Sequence, residues 1–181
     1  SNSNHVKVYQ YQASSSSWVQ LGSDINGEED SDNSGRSISL NSDGSIIAIG
    51  ASSNDGSFNN SGHVRVFQYE GSSSSWVQLG SDIDGEADSD YSGNSVSMNS
   101  DGSIVAIGAY QNNGSGNNSG HVRVYKYSNS SWTQLGSDID GEAANDKSGT
   151  SVSINNSGSI VAIGAPFNSG DLGGGHVRVY K

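Results

Sequence analysis

The most chemically suggestive residues in this sequence are acidic, and they gather in a loop that occurs three times, as DINGEEDSDNSG, DIDGEADSDYSG and DIDGEAANDKSG. Asp24, Glu28 and Asp32 of the first copy are matched by Asp82, Glu86 and Asp90 in the second and by Asp138, Glu142 and Asp146 in the third. Asp84 and Asp140 stand where the first copy has Asn26. Carboxylates two to four residues apart around a glycine turn can wrap a hard cation such as calcium, which takes several oxygen ligands. The same spacing suits a structural duty, in which aspartates close Asx-turns and cap backbone N–H groups. Both readings stand at this level, and capping is the more economical one.

Other residue types offer less. His5, His63, His121 and His176 each open an HV(K/R)V segment. No second histidine lies nearby in sequence, so a hydrogen bond from each imidazole to a loop carbonyl or carboxylate is expected in preference to metal ligation or catalysis. Serine, histidine and aspartate are abundant enough to draw a hydrolase triad. No G-x-S-x-G elbow is present, however, and each candidate serine recurs at the same place in every copy. An enzyme needs one asymmetric constellation, so catalysis is not expected. Trp18, Trp76 and Trp132, with Tyr9, Tyr11, Tyr69, Tyr125 and Tyr127, could form a platform for sugars, but one tryptophan per repeat reads first as packing between sheets. Gly173, Gly174 and Gly175 precede no helix and so form no phosphate loop. N-x-S sequons at Asn59, Asn113, Asn117, Asn129 and Asn155 fall in expected loops and would permit glycans in a eukaryotic secretory host.

These residues must be positioned by a repeat. HVKVYQY at His5 returns as HVRVFQY at His63, HVRVYKY at His121 and HVRVYK at His176. A W-x-Q-L-G-S-D-I segment follows each of the first three, then the acidic loop, an SG pair, an S-x-S strand and an IIAIGA or IVAIGA run. The alternating segments predict strands with period two, and the continuous apolar run predicts a strand buried on both faces. No segment repeats apolar residues at helical spacing. Strands are expected near 5–11, 18–25, 36–41, 45–51, 63–69, 76–83, 94–99, 103–109, 121–127, 132–139, 150–155, 159–165 and 176–180. The chain reads as all-β, with three four-stranded units of about 58 residues plus an extra strand, which is the pattern of β-propeller blades. The expected organisation is a single repeat domain over 1–181, divided into a partial blade (1–34), blades at 35–92 and 93–148, and a partial blade (149–181).

The string SGTSVSINNSGSIVAIGAPFNSG, followed by GHVRVY, resembles the FG-GAP repeat, the blade of integrin α-subunit propellers and of many surface proteins. The G-A-P of that pattern is intact at Gly164, Ala165 and Pro166 and altered at Gly50-Ala51-Ser52 and Gly108-Ala109-Tyr110. Serine replaces its phenylalanine at Ser34, Ser92 and Ser148. Its calcium turn is reduced to Asn41-Ser42-Asp43-Gly44, Asn99-Ser100-Asp101-Gly102 and Asn155-Asn156-Ser157-Gly158, each with one carboxylate or none, too few for calcium. The resemblance implies an extracellular or cell-surface module for adhesion or for recognition of protein or glycan, and nothing about catalysis.

Composition sets the outer bounds. The 181 residues carry a formal net charge of −11 and no cysteine, and only 31% are hydrophobic. Acidity of this size disfavours nucleic acid and anionic membrane as partners, and no apolar run is long enough to insert in a bilayer as a helix. Without an initiator methionine or a signal peptide, the chain reads as a mature or excised piece of something longer. No organic cofactor is expected, and Ca2+ is the one ion considered. The expected partners are an extracellular protein or glycan ligand, or other copies of the chain joined through blade edges into a ring or filament. A glycan-active enzyme is a remote alternative.

Overall fold

The computed structural model describes residues 4–168 and 174–181, so Gly173 lies outside the described residues. Seventeen strands and no helix are found among them. They run β1 (His5–Val6), β2 (Tyr9–Gln12), β3 (Ser17–Gln20), β4 (Ile25–Asn26), β5 (Ser34–Leu40), β6 (Ile46–Ala51), β7 (His63–Glu70), β8 (Ser75–Gln78) and β9 (Ile83–Asp84). Then follow β10 (Ser95–Met98), β11 (Ile104–Ala109), β12 (His121–Ser128), β13 (Ser131–Gln134), β14 (Ile139–Asp140), β15 (Ser151–Ile154), β16 (Val161–Ala165) and β17 (His176–Tyr180). All ladders between them are antiparallel. Two sheets have the meander order β5-β6-β7-β8 and β10-β11-β12-β13, with β9 and β14 also pairing β7 and β12. A three-stranded sheet β15-β16-β17 follows them, and the pairs β1-β4 and β2-β3 precede them.

The continuous apolar runs are explained by two-sided packing. In β6, Ile47 and Ile49 pack with Val6, Val8, Ile25, Phe67 and Trp76, while Ala48, between them, faces Val96, Met98, Val105 and Ile107 of the next sheet. In β11 the split repeats: Val105 and Ile107 face back, and Ala106 faces forward onto Val161 and Ile163. Period two thus shares one strand between two interfaces, and each interface is a core. The sheets stack face to face, and no strand pairing among the described residues closes the series.

The inner strands meet through serine. Ser37 Oγ donates to the Gly93 carbonyl at 2.8 Å, and Ser95 Oγ donates to that of Gly149 at 2.8 Å. Ser39 Oγ accepts from Met98 N at 3.0 Å, and Ser97 Oγ from Ile154 N at 3.0 Å. The strands approach so closely that a Cβ built on Gly108 would lie 2.1 Å from the Gly149 oxygen. Serine and glycine are therefore core residues here, which is how a chain of such low apolar content builds a core.

Four expected strands are broken. The expected fourth strands (18–25, 76–83 and 132–139) each divide into two pieces, because Gly22, Gly80 and Gly136 take φ of +75°, +72° and +81°. After β8, Leu79 N still donates to Val66 O at 2.8 Å, then the chain steps outward at Gly80 and rejoins β7 as β9. That outward step carries Asp82. The expected strand 5–11 divides into β1 and β2, because no second-strand neighbour spans both halves as β6 spans β7.

The Asn-Ser-Asp-Gly turns are closed by their own side chains. Asn41 Oδ1 accepts from Ile46 N at 3.0 Å and Asp43 Oδ1 from Ser45 N at 2.9 Å; Asn99 and Asp101 repeat both bonds at 2.9 and 2.8 Å. Successive turns join through Ser42 N to Ser100 O and Ser100 N to Asn156 O, both 3.0 Å.

Candidate functional site

β7 alternates its side chains so that Val64 and Val66 face the next sheet while His63, Arg65 and Phe67 face the acidic loop of the preceding unit. β12 and β17 do the same with His121, Arg123 and Tyr125, and with His176, Arg178 and Tyr180. Each arginine spans the joint between units. Arg65 donates through Nη2 to Asn26 O at 2.8 Å, sets Nη1 3.5 Å from Glu28 Oε1 and lies 5.4 Å above the Phe67 ring. Arg123 makes the same set with Asp84 O (2.6 Å), Glu86 Oε1 (3.2 Å) and Tyr125 (5.4 Å). Arg178 does so with Asp140 O (2.5 Å), Glu142 Oε1 (3.4 Å) and Tyr180 (5.5 Å). Sequence reasoning gave these arginines no role. The available signal was a guanidinium repeated in the middle of a strand that the pattern otherwise buries.

The acidic loop divides by position. Asp32, Asp90 and Asp146 are only 1–2% exposed. Through Oδ2 they accept from the backbone N of Glu29, Ala87 and Ala143 (3.2, 3.1 and 2.9 Å) and from Asn54, Asn112 and Asn168 Nδ2 (2.9, 3.0 and 2.8 Å). These three are caps that also tie each loop to the turn after the following second strand. Asp24, Asp82 and Asp138 accept through Oδ1 from Gln20, Gln78 and Gln134 Nε2 at 2.7, 2.6 and 2.6 Å. The Gln20 bond is the main cause holding the Asp24 carboxyl below its usual range, with Lys7 and His5 adding to it. Asp84 accepts from Ser57 Oγ at 3.2 Å, and Asp140 Oδ1 lies 4.0 Å from His121 Nδ1.

The histidines depart from expectation. His63 Nδ1 lies 3.7 Å from Asp82 Oδ2 and 3.9 Å from Glu28 Oε2, beyond hydrogen-bond length. His121 Nδ1 lies 3.7 Å from Asp138 Oδ2 and 4.0 Å from Glu86 Oε2. The gap arises because Gln78 and Arg65 hold the other oxygens of those two carboxylates at the first joint, as Gln134 and Arg123 do at the second. Burial pushes the His63 imidazole below its ordinary pKa; Asp82, Glu28 and Asp84 oppose this and Arg65 adds to it. His121 is lowered by burial and by Arg123, against Asp138, Glu86 and Asp90. Both rings are therefore biased toward the neutral form. At the third joint His176 Nε2 is 3.4 Å from Glu142 Oε2, and before the first, His5 Nε2 is 4.0 Å from Asp24 Oδ2.

Of the aromatic residues, Trp76 and Trp132 pack: their Nε1 groups donate to the Leu21 and Leu79 carbonyls of the preceding unit at 2.9 and 2.8 Å, and their rings tilt against Tyr69 and Tyr127. Trp18, paired with Tyr11, is 68% exposed. Among the sequons, Asn59, Asn113, Asn117 and Asn129 are exposed, while Asn155 Oδ1 is occupied in closing its turn on Ser159 and Ile160.

Among the places where the surface departs from the repeat, one brings two aromatic rings together. Tyr91 stands where the other units have Asn33 and Lys147, and Tyr110 where they have Ser52 and Pro166. Their rings lie 5.8 Å apart at an interplanar angle of 40°. Both border an open cleft of about 450 Å³, with Asn33, Asn94, Arg36 and Ser53 among its polar walls. Lys147 Nζ continues the row, 5.7 Å from the Tyr110 ring and 4.9 Å from that of Phe167. Sequence reasoning passed over these residues, although their departure from the repeat was visible in it.

No protein-family model matches the sequence, and no curated protein matches it either. The structure is similar to Kuenenia stuttgartiensis hydrazine synthase, with a TM-score of 0.52 at 11% identity, over 96% of this chain and 39% of that one. It is also similar to the periplasmic gluconolactonase PpgL of Pseudomonas aeruginosa, with a TM-score of 0.59 at 16% identity, over 100% of this chain and 47% of that one. The chain spans less than half of each of these proteins. At such identities the likeness is one of fold alone, and the fold is all-β, made of propeller-type blades.

Proposed function

We propose that this chain is a non-enzymatic recognition module of the extracellular space or cell surface, related to FG-GAP propellers, and that it binds glycan in the cleft bordered by Tyr91 and Tyr110. The observation that carries this reading is a break in the repeat: among the described residues, the one ring pair outside the common pattern, Tyr91 with Tyr110, borders a polar cleft. Aromatic faces stack on the C–H faces of a sugar, while amides, hydroxyls and a guanidinium bond its hydroxyl groups. About 450 Å³ falls within the usual range of small-ligand sites. Glycoside hydrolysis ordinarily uses two carboxylates flanking the bond, and the described residues lining this cleft include no carboxylate. The titratable constellations elsewhere recur from joint to joint and serve the joints.

The test is a glycan array followed by calorimetry on the strongest ligand. Tyr91→Ala and Tyr110→Ala should each weaken binding by about tenfold, equivalent to about 1.4 kcal/mol, without changing the melting temperature. Retention on no glycan, retention unchanged in both variants, or turnover of a sugar lactone would overturn the reading.

A second reading, assembly through blade faces, is favoured by a different observation. Val177 and Val179 are 69% and 65% exposed, whereas Val64, Val66, Val122 and Val124, their equivalents in β7 and β12, are buried.

A further inference from the structure

Three ligand-type side chains meet at each of the two inner joints: Glu28, His63 and Asp82 at one, Glu86, His121 and Asp138 at the other, with their donor atoms within 4.8 Å of one another. Acidic residues gathered at a surface would mean little alone. Here an imidazole is aimed into each group from the core, with side-chain exposures of 2% and 1%, and its Nδ1 has both carboxylate oxygens beyond hydrogen-bond length. Each carboxylate is also oriented from behind. Gln78 takes Asp82 Oδ1 and Arg65 takes Glu28 Oε1, so Oδ2 and Oε2 are the atoms left facing the imidazole. Gln134 and Arg123 do the same for Asp138 and Glu86. Outer groups that fix the free oxygen of each ligand are the usual support of a metal centre.

Charge points the same way. At the first joint Glu28, Asp82 and Asp84 act on His63 with Arg65 as the opposing cation, and at the second Glu86, Asp138, Asp140 and Asp90 act on His121 with Arg123. Carboxylates outnumber the guanidinium three to one at the first joint and four to one at the second, an excess of negative charge that a divalent cation reduces. The donor set decides which cation. Calcium prefers six to eight oxygens, whereas an imidazole with two carboxylates suits zinc and its neighbours. A tetrahedral zinc ion holds such donors about 3.4 Å apart, as follows from metal–ligand distances near 2.1 Å. The observed distances, 3.7 and 3.9 Å from His63 with all three donor atoms within 4.8 Å of one another, are closed by inward rotation of two partly exposed carboxylates.

We propose that the joints centred on His63 and His121 each bind one divalent transition-metal ion of the zinc class, held by the imidazole Nδ1, the glutamate of the preceding unit and the aspartate of the same unit, with the fourth position open to water. The ion fastens one unit to the next. The joint at His176 offers a glutamate and an imidazole but no aspartate among the described residues, and is the weaker site.

The test uses the full chain, freed of metal by chelation and titrated calorimetrically with zinc chloride and, in parallel, with calcium chloride. Zinc should fill two sites, one lost in His63→Gln and both in the double variant with His121→Gln, and calcium should not compete. Because the imidazoles are buried, Asp82→Asn and Asp138→Asn serve as variants that keep the glutamine hydrogen bond and the core. Each should weaken zinc at its own joint at least tenfold, with no change in the melt of the metal-free protein. Cobalt(II) should give the visible absorption of four-coordinate cobalt and broaden the ring signals of His63 and His121. Zinc bound no more tightly than calcium, zinc affinity untouched by the aspartate and histidine variants, or cobalt broadening confined to other residues would each overturn the assignment.

Discussion

Asp43 and Asp101 show how far one side chain can be read from its neighbours. In sequence they are the lone carboxylates of Asn-Ser-Asp-Gly turns; in the structure each accepts from the serine two residues on, Ser45 or Ser103, and these bonds hold both carboxyls below the usual aspartate value of 3.8. A folded-state pKa lowered in this way means the unfolded chain binds the proton more readily, so the contribution is present above about pH 4 and fades as pH falls through the folded value. The expected result of an NMR titration is a pKa below 3.8 for both residues, rising toward 3.8 for Asp43 alone in Ser45→Ala. An unshifted Asp43 in the wild type would contradict the turn geometry. Capping in the acidic loop was legible at this scale as a duty of its aspartates, and Asp32, Asp90 and Asp146 are the three that perform it on backbone N–H groups. The arginine clamps and the Tyr91–Tyr110 pair were not: a repeat tells the reader which positions matter to every unit, and the clamp needs a partner from the preceding unit that sequence alone does not bring near.

At the scale of elements, all thirteen expected strands have a counterpart, because period two and continuous β-branched runs leave little ambiguity. What the pattern hid was the break in each fourth strand. The apolar residues on either side of Gly80 keep a strand-like spacing, yet the left-handed glycine bulges the chain and places Asp82 at the joint. Glycine also governs the contact between inner strands. A methyl group on Gly108 would meet the Gly149 oxygen at 2.1 Å and Ser95 Oγ at 2.4 Å, and those two atoms are bonded to each other. Backbone on one side leaves no room to yield, so Gly108→Ala should destabilise the chain by about 1–3 kcal/mol, the usual effect of overpacking. Gly71→Ala meets nothing within 4 Å and should change stability by less than about 0.5 kcal/mol. Urea melts compare the two, and equal midpoints would mean that the inner strands are not in contact as described.

At the scale of the whole molecule, stability follows from joints, because each unit buries its apolar faces only against its neighbours. The same chemistry that fills the inner joints is presented at the two outer faces. On one side Trp18 is 68% exposed, although Trp76 and Trp132 each reach a leucine carbonyl of the preceding unit. On the other, Val177 and Val179 are exposed on the outer face of β17, and behind that strand, in the groove beside Tyr180, Leu135, whose equivalent Leu79 offers its carbonyl to Trp132, is 48% exposed. Donor and acceptor halves of one interface on opposite faces make a heterologous contact, which closes into a ring or extends into a fibre according to its rotation. The prediction is that this chain associates head to tail at micromolar concentration, with a blue shift of tryptophan emission as Trp18 is covered. Because the contact is apolar, added salt should strengthen it or leave it unchanged. Val177→Lys together with Val179→Lys should abolish association without lowering the melting temperature, since neither side chain is buried within the chain. Trp18→Ala should weaken it from the other face. Light scattering that gives a monomer mass for the wild type across this range would end the assembly reading and leave the exposed faces to partners of another kind.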